Sequence, residues 1–291
     1  MSRLGVALLS IAFAGCFSEP GRPSGTGDDD GGLGSDAGHD GPAPDAFMGP
    51  LQVKVLSVSH WNDDGSVGDP ASMDKTHWAL NLTGAQNGQL LLLLGTVDNG
   101  GGIQFDQTHY PTGWTNIANI FTAGPDTQTT IFAWKIAHDE PATQVGPYGD
   151  VNSSGTATYV VLAIDGFDPA NPIETQDTGG QGDHPGVNPV PIASPGVSVT
   201  TPGTLLISAM AADWDNGDRE FTYNLPTGFV KLVEASDKGL EHLDYHWSTM
   251  VVSQQTVDAG LTGPVSGTLT ANGDVAYGIY GLIAIKPMPM Q

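Results

Sequence analysis

Two stretches of the chain repeat at a single spacing, and that repeat restricts the fold more than any other feature. The first runs Gly88-Gln-Leu-Leu-Leu-Leu-Leu-Gly95 and on to Asp98-Asn99-Gly100. The second runs Gly203-Thr-Leu-Leu-Ile and on to Asp213-Trp214-Asp215-Asn216-Gly217. Each precedes a matching turn, Pro111-Thr-Gly-Trp114 and Pro226-Thr-Gly-Phe229. Gly88 to Gly203 and Pro111 to Pro226 are both separated by 115 residues. The five leucines at 90–94 form a short apolar run that begins just after one glycine and ends at another. Length and punctuation of this kind predict a strand buried on both faces, central in its sheet. In the second copy Leu205, Ile207 and Ala209 share one face. The Pro-Thr-Gly-aromatic element predicts a turn in which glycine supplies a positive φ and the aromatic returns to the core.

From residue 51 onward the chain reads as about thirteen strands with turn-rich connections and no sustained 3.6-residue stripe. One short helical signal, Asp69-Pro70 to Lys75, is the exception. Alternation is clear in Thr130, Phe132, Trp134 and Ile136, and again in Leu243, Tyr245 and Trp247. The expectation is an all-β fold, a jelly-roll-like two-sheet β-sandwich built from two pseudo-repeated halves. The halves are about 51–166 and 195–291. Residues 167–195 read as an irregular connection rich in Pro and Gly. Two versions follow from the repeat: a small sandwich in each half, or halves interleaved around one core. The apolar final strand, Tyr277 to Lys286, favours the single core.

The N-terminus has a different character. Arg3 precedes a short apolar run, Leu4 to Phe13, as in a cleaved signal over residues 1–15. Residues 17–50 hold nine Gly, five Pro and an Asp28-Asp29-Asp30 run, the composition of a disordered linker. The junction Phe13-Ala14-Gly15-Cys16 resembles the lipobox of bacterial lipoproteins, in which cleavage precedes a cysteine that carries lipid. That resemblance implies lipidation at Cys16 and a place on the bacterial outer membrane or cell surface. The membrane would be contacted through the N-terminal lipid alone. Cys16 is the only cysteine, so no intrachain disulfide forms.

A second resemblance rests on motifs spread over residues 80–287. They are Gly-x-Leu-Leu, Pro-Thr-Gly-Trp, Thr-Ile-Phe-Ala-Trp-Lys, Asp139-Glu140-Pro141 and the run from Tyr159 to Gly166. The second-half copies and the terminal Gly281-Leu-Ile-Ala-Ile-Lys-Pro complete the set. Together they resemble a β-sandwich domain common in bacterial secreted and phage tail-associated proteins. The resemblance implies a fold and a surface setting, with no catalytic residues to carry over.

The formal net charge is −23. Two bases and seven acids precede residue 51, which leaves 25 acidic and 7 basic residues from there on. A surface of that sign repels nucleic acid and anionic lipid. The remaining partners are a glycan or another surface protein.

Three groups of residues carry possible chemistry. In Glu241-His242-Leu-Asp244-Tyr-His246-Trp247, strand spacing puts His242, Asp244 and His246 on one face. Two imidazoles and a carboxylate suit zinc or another divalent ion, and a plain solvated face is the alternative. Matching Trp134 to Trp247 sets Thr129, Ile131 and Ala133 at the corresponding first-half positions, so the repeat does not require the polar residues. The second group is Asp213, Asp215 and Asp218, whose oxygens on a Gly-bearing loop suit calcium; turn formation alone also explains them. The third is Trp61 and Trp214, loop aromatics that suit stacking on a sugar. Gly-x-Ser-x-Gly, His-Glu-x-x-His and phosphate-loop motifs are all missing from the sequence. The leading expectation is a lipid-anchored surface protein for binding, adhesion or structure. A metal-dependent hydrolase, or a carbohydrate-binding accessory acting on extracellular polysaccharide, is the alternative.

Overall fold

The computed structural model describes residues 50–62, 79–99, 113–122, 128–145, 155–181, 187–215, 221–236, 246–271 and 274–289. Among these, every regular element is a strand. In the first half they are β1 (Gln52–Asn62), β2 (Ala79–Asn81), β3 (Leu90–Asn99), β4 (Thr115–Thr122), β5 (Gln128–Ile136), β6 (Thr143–Val145) and β7 (Gly155–Asp165). In the second they are β8 (Ile173–Gln181), β9 (Val190–Ser194), β10 (Ser198–Val199), β11 (Thr204–Asp215), β12 (Phe221–Asn224), β13 (Val230–Ser236), β14 (His246–Val257), β15 (Gly260–Leu261), β16 (Val265–Ala271) and β17 (Asp274–Ile285). The signal, the linker, Cys16 and the short helical signal at 69–75 lie outside the described residues.

Two five-stranded antiparallel sheets form the frame. One has the order β1-β7-β3-β5-β4 and the other β13-β14-β11-β17-β8. Reversed, the first reads β4-β5-β3-β7-β1, which matches the second strand for strand. The two repeated stretches, β3 and β11, therefore hold the same central place. The turns that follow them match too: Gly113 has φ 86° and Gly228 φ 85°. In the second turn Phe229 N donates to Pro226 O at 3.1 Å.

Both faces of the central strands are buried, as the leucine run predicts. Leu90, Leu92 and Leu94 meet Leu205, Ile207, Ala209 and Ala211 in the core between the sheets. Leu91 and Leu93 face outward, beneath Leu80 and Leu82 of the β2–β6 layer. On the other side, Met210 and Ala212 lie under the three-stranded sheet β12-β16-β9. Leu206 lies under the β10–β15 pair. One apolar core between two sheets accounts for the single core expected from the sequence.

Two expectations need correction. The halves do not interleave within a sheet: each large sheet is drawn from one contiguous half. Residues 167–195 are also not simply an irregular connection, because they contain β8 and β9. β8 has the sequence IETQDTGGQ and is an edge strand, so it needs no apolar alternation. A Cβ on its Gly179 would stand 2.7 Å from the Tyr280 hydroxyl, so that ring occupies the place of a side chain.

The way the sheets face each other fixes their relative direction. Across the core β5 lies over β17, β7 over β14, β4 over β8 and β1 over β13. Each outer strand thus faces the position opposite its counterpart, while the central strands β3 and β11 face each other. This arrangement requires an approximate twofold axis parallel to the strands. β3 and β11 therefore run in the same direction, and their C-terminal ends share one end of the sandwich.

Candidate functional site

The two ends of the sandwich differ in chemistry. At the end where β3 and β11 begin, described carboxylates have assigned partners. Asp168 Oδ2 pairs with Lys286 Nζ at 3.0 Å, and Asp168 Oδ1 accepts from Ala170 N at 3.0 Å. The Lys286 hydrogen bond holds the Asp168 carboxyl below its ordinary pKa, against the opposing effect of burial. This pair ties the exit of β7 to the exit of β17 and so joins the halves.

Glu174 on β8 takes hydrogen bonds from the turn that leads into β11. Its Oε1 accepts from Thr200 N and Thr200 Oγ1 at 2.5 Å each and from Thr201 N at 3.1 Å. Its Oε2 accepts from Thr204 Oγ1 at 2.8 Å. Burial pushes the Glu174 pKa up, but these bonds outweigh it and the net shift is downward.

Toward the opposite end the paired rows of the ladders change from apolar to polar residue types. In the first sheet the row Val160–Leu94–Phe132 is followed by Thr158–Thr96–Thr130, in which every residue is fully buried. Thr130 Oγ1 donates to Thr96 Oγ1 at 3.2 Å. The next register row is Thr156–Asp98–Gln128. In the second sheet the row Met250–Ala211–Ile279 is followed by Ser248–Asp213–Tyr277 and then by His246–Asp215–Asp274.

This register unites groups that the sequence presents separately. His246, from the histidine motif, pairs directly with Asp215, which with Asp213 lies in strand β11 and not in the loop expected. Asp215 pairs on its other side with Asp274, which sequence reasoning missed because nothing near it in the chain marks it. Trp214 pairs with Trp247. Trp61, near the end of β1, pairs with Ala157 at the same end of the first sheet. Asp218, His242 and Asp244 lie outside the described residues. Among the described residues no three His, Cys, Asp or Glu side chains converge as metal ligands do. The register row is a backbone juxtaposition.

The register also corrects the match of Trp134 to Trp247. Trp134 pairs with Leu92, whose counterpart 115 residues on, Ile207, pairs with Gln254. β14 spans His246–Val257, and residues 241–245 of the histidine motif lie outside the described residues. The position corresponding to Asp215 in the first half is Gly100, which lies outside the described residues.

Comparison with protein-family models, with curated proteins and with solved structures gives no match to this chain.

A second polar cluster lies on the outer face of the first sheet. Lys135 on β5 forms an ion pair with Glu140, and both side chains are 8% exposed. Lys135 Nζ also donates to Gln144 Oε1 at 3.0 Å. The same oxygen accepts from Trp114 Nε1 at 2.9 Å, and Lys135 Nζ sits 5.0 Å from the Trp114 ring centroid. Trp114 returns from its turn onto the core beneath the β2–β6 layer, as its motif predicts, with its N–H satisfied.

Proposed function

We propose that this is a lipid-anchored bacterial surface protein that binds an extracellular ligand through the acidic end of its sandwich, without catalysis. The supporting observation is directional. β1 begins at the end of the sandwich opposite the rows of Asp98, Asp213, Asp215 and Asp274. A chain tethered at Cys16 enters the domain at one end and presents the polar rows and their connecting segments at the other. Gly/Pro/Asp-rich tethers give such a domain reach. The lipobox resemblance of Phe13-Ala14-Gly15-Cys16 supplies the anchor, and the secreted and phage tail-associated resemblance suits the setting. The acidic surface favours a glycan or protein partner over nucleic acid. Trp61 in β1 and Trp214 in β11 are the aromatics on which a sugar would stack.

The His246–Asp215–Asp274 row supports a second reading, a metal-dependent hydrolase or carbohydrate-binding accessory acting on extracellular polysaccharide. Imidazole and carboxylate are donor types that zinc takes, and carboxylates suit calcium. Two measurements separate the readings. In cells fed labelled fatty acid, wild type should carry label in the membrane fraction and Cys16→Ser should not; a labelled mutant defeats the anchor. The purified full chain should retain glycans or a surface protein without degrading polysaccharide. Metal-stimulated release of sugar fragments would make the enzyme reading correct.

A further inference from the structure

The cluster under the β2–β6 layer holds the parts of a bond-forming site. Lys135 supplies an amine and is 7% exposed. Gln144 supplies a side-chain amide whose oxygen lies 3.0 Å from that amine. Trp114 Nε1 donates to the same oxygen at 2.9 Å, where an N–H polarises the carbonyl and stabilises charge that develops on it. Glu140 touches the amine directly and is itself nearly buried. A nucleophile, an electrophile, a proton carrier and an oxyanion donor thus meet in a place that largely excludes water.

We propose that the chain joins Lys135 to Gln144 through an isopeptide bond that it forms itself. Glu140 takes a proton from the Lys135 ammonium and leaves the neutral amine. The Nζ lone pair attacks Gln144 Cδ, and the carbonyl electron pair moves onto Oε1, where the Trp114 N–H stabilises it. The tetrahedral centre collapses, the Cδ–Nε2 bond breaks, and ammonia leaves. Glu140 hands its proton to the departing nitrogen, and the second proton on Nζ passes to Glu140 and out. One amine and one amide give one substituted amide and one ammonia, with no oxidant or outside reactant. Holding both groups in place makes the step intramolecular, which is where most of its acceleration arises.

The placement gives the bond a purpose. Lys135 belongs to the large sheet and Gln144 to β6, which pairs with β2 in the layer that covers Leu91 and Leu93. The bond would clasp that layer to the sheet. The chain has a single cysteine, so no intrachain disulfide does this work.

Trypsin and mass spectrometry test the proposal on the full chain. Lys135 is the only Lys or Arg between Lys75 and Arg219. In wild type, cleavage after Lys135 should be lost, and the peptide 76–219 should appear lighter than its sequence mass by one ammonia. Lys135→Arg should restore cleavage after residue 135 and the full mass. Glu140→Gln keeps shape and hydrogen bonding but cannot carry the proton, and it should leave the two side chains unjoined. Complete cleavage at Lys135 in wild type, with both peptides at full mass, overturns the bond. A bond formed equally well in Glu140→Gln overturns the role of Glu140.

Discussion

Phe132, on the first sheet, lies against Gly281 on the second so closely that a Cβ on the glycine would stand 2.6 Å from its ring carbons. The phenyl ring is fully buried and belongs to the core that the two halves share. Gly281 pairs with Ala209 of β11, so two small residues side by side make room for the ring. Gly281→Ala should destabilise the protein by about 1–3 kcal/mol, the usual effect of overpacking a filled core. Denaturant unfolding of wild type and variant checks this. Combining Gly281→Ala with Phe132→Leu should return part of the loss, because contacting residues couple. Strict additivity would show that the ring and the glycine do not share one space.

The strands that were legible in the sequence are those whose burial leaves a mark in the chain. Five leucines in a row have no solvated face, so β3 had to be central, and the offset of 115 residues placed β11 beside it in kind. β8 left no such mark. As an edge strand it is set by backbone pairing with β17 and by the Tyr280 ring over Gly179, and neither is a local pattern. The polar end was half legible for the same reason. His246 and Asp215 each belong to a conspicuous local motif, but their pairing depends on register between strands 31 residues apart in sequence. Asp274 opens β17 with no motif around it. The direction of one sheet against the other depends on the whole topology, and no single stretch contains it.

The two repeat turns offer a matched pair of substitutions. Gly113 and Gly228 share a positive φ, but a Cβ on Gly113 meets nothing within 4 Å, whereas one on Gly228 meets Gln255 Nε2 at 2.7 Å. Ala at either site should cost about 1–2 kcal/mol for the left-handed backbone. Gly113→Asn should recover part of that loss, since asparagine tolerates this region. Gly228→Asn should recover less, because Gln255 must also move. Equal recovery at both sites would mean that the Gln255 contact carries no weight.

Glu174 makes stability depend on acid pH with a definite sign. Its folded pKa lies below the unfolded one, so its contribution is complete above the ordinary glutamate range near about 4.3. It is lost as pH falls through the lower, folded value. Asp168, held down by Lys286, acts in the same direction. Stability measured by denaturant should therefore fall as pH drops below about 4.5, and Glu174→Gln should make the fall shallower. At neutral pH that variant should lose about 1 kcal/mol, less than a fully buried charged hydrogen bond because solvent reaches the site. An unchanged pH profile in Glu174→Gln would remove the Thr200–Thr204 bonds from the account.

The last expectation concerns the row His246–Asp215–Asp274. Asp215 pairs across the ladder with His246 on one side and with Asp274 on the other, so a test for a shared ion centres on Asp215. An ion bound only by the folded chain raises the melting temperature, by the equivalent of about 2.7 kcal/mol at a hundred times Kd. Zinc and calcium then separate by pH. Zinc would need the neutral imidazole, so its effect should fade as pH drops below about 6.5 and should vanish in His246→Ala. Calcium would rest on the carboxylates, so its effect should persist to about pH 5, survive His246→Ala and disappear in Asp215→Asn or Asp274→Asn. Asp215 sits between the other two, so Asp215→Asn should be the most damaging single change for either ion. Melting curves of the full chain with added calcium, with added zinc and with chelator decide the matter. Curves that coincide in all three would leave the row without a metal and remove the support for a hydrolase.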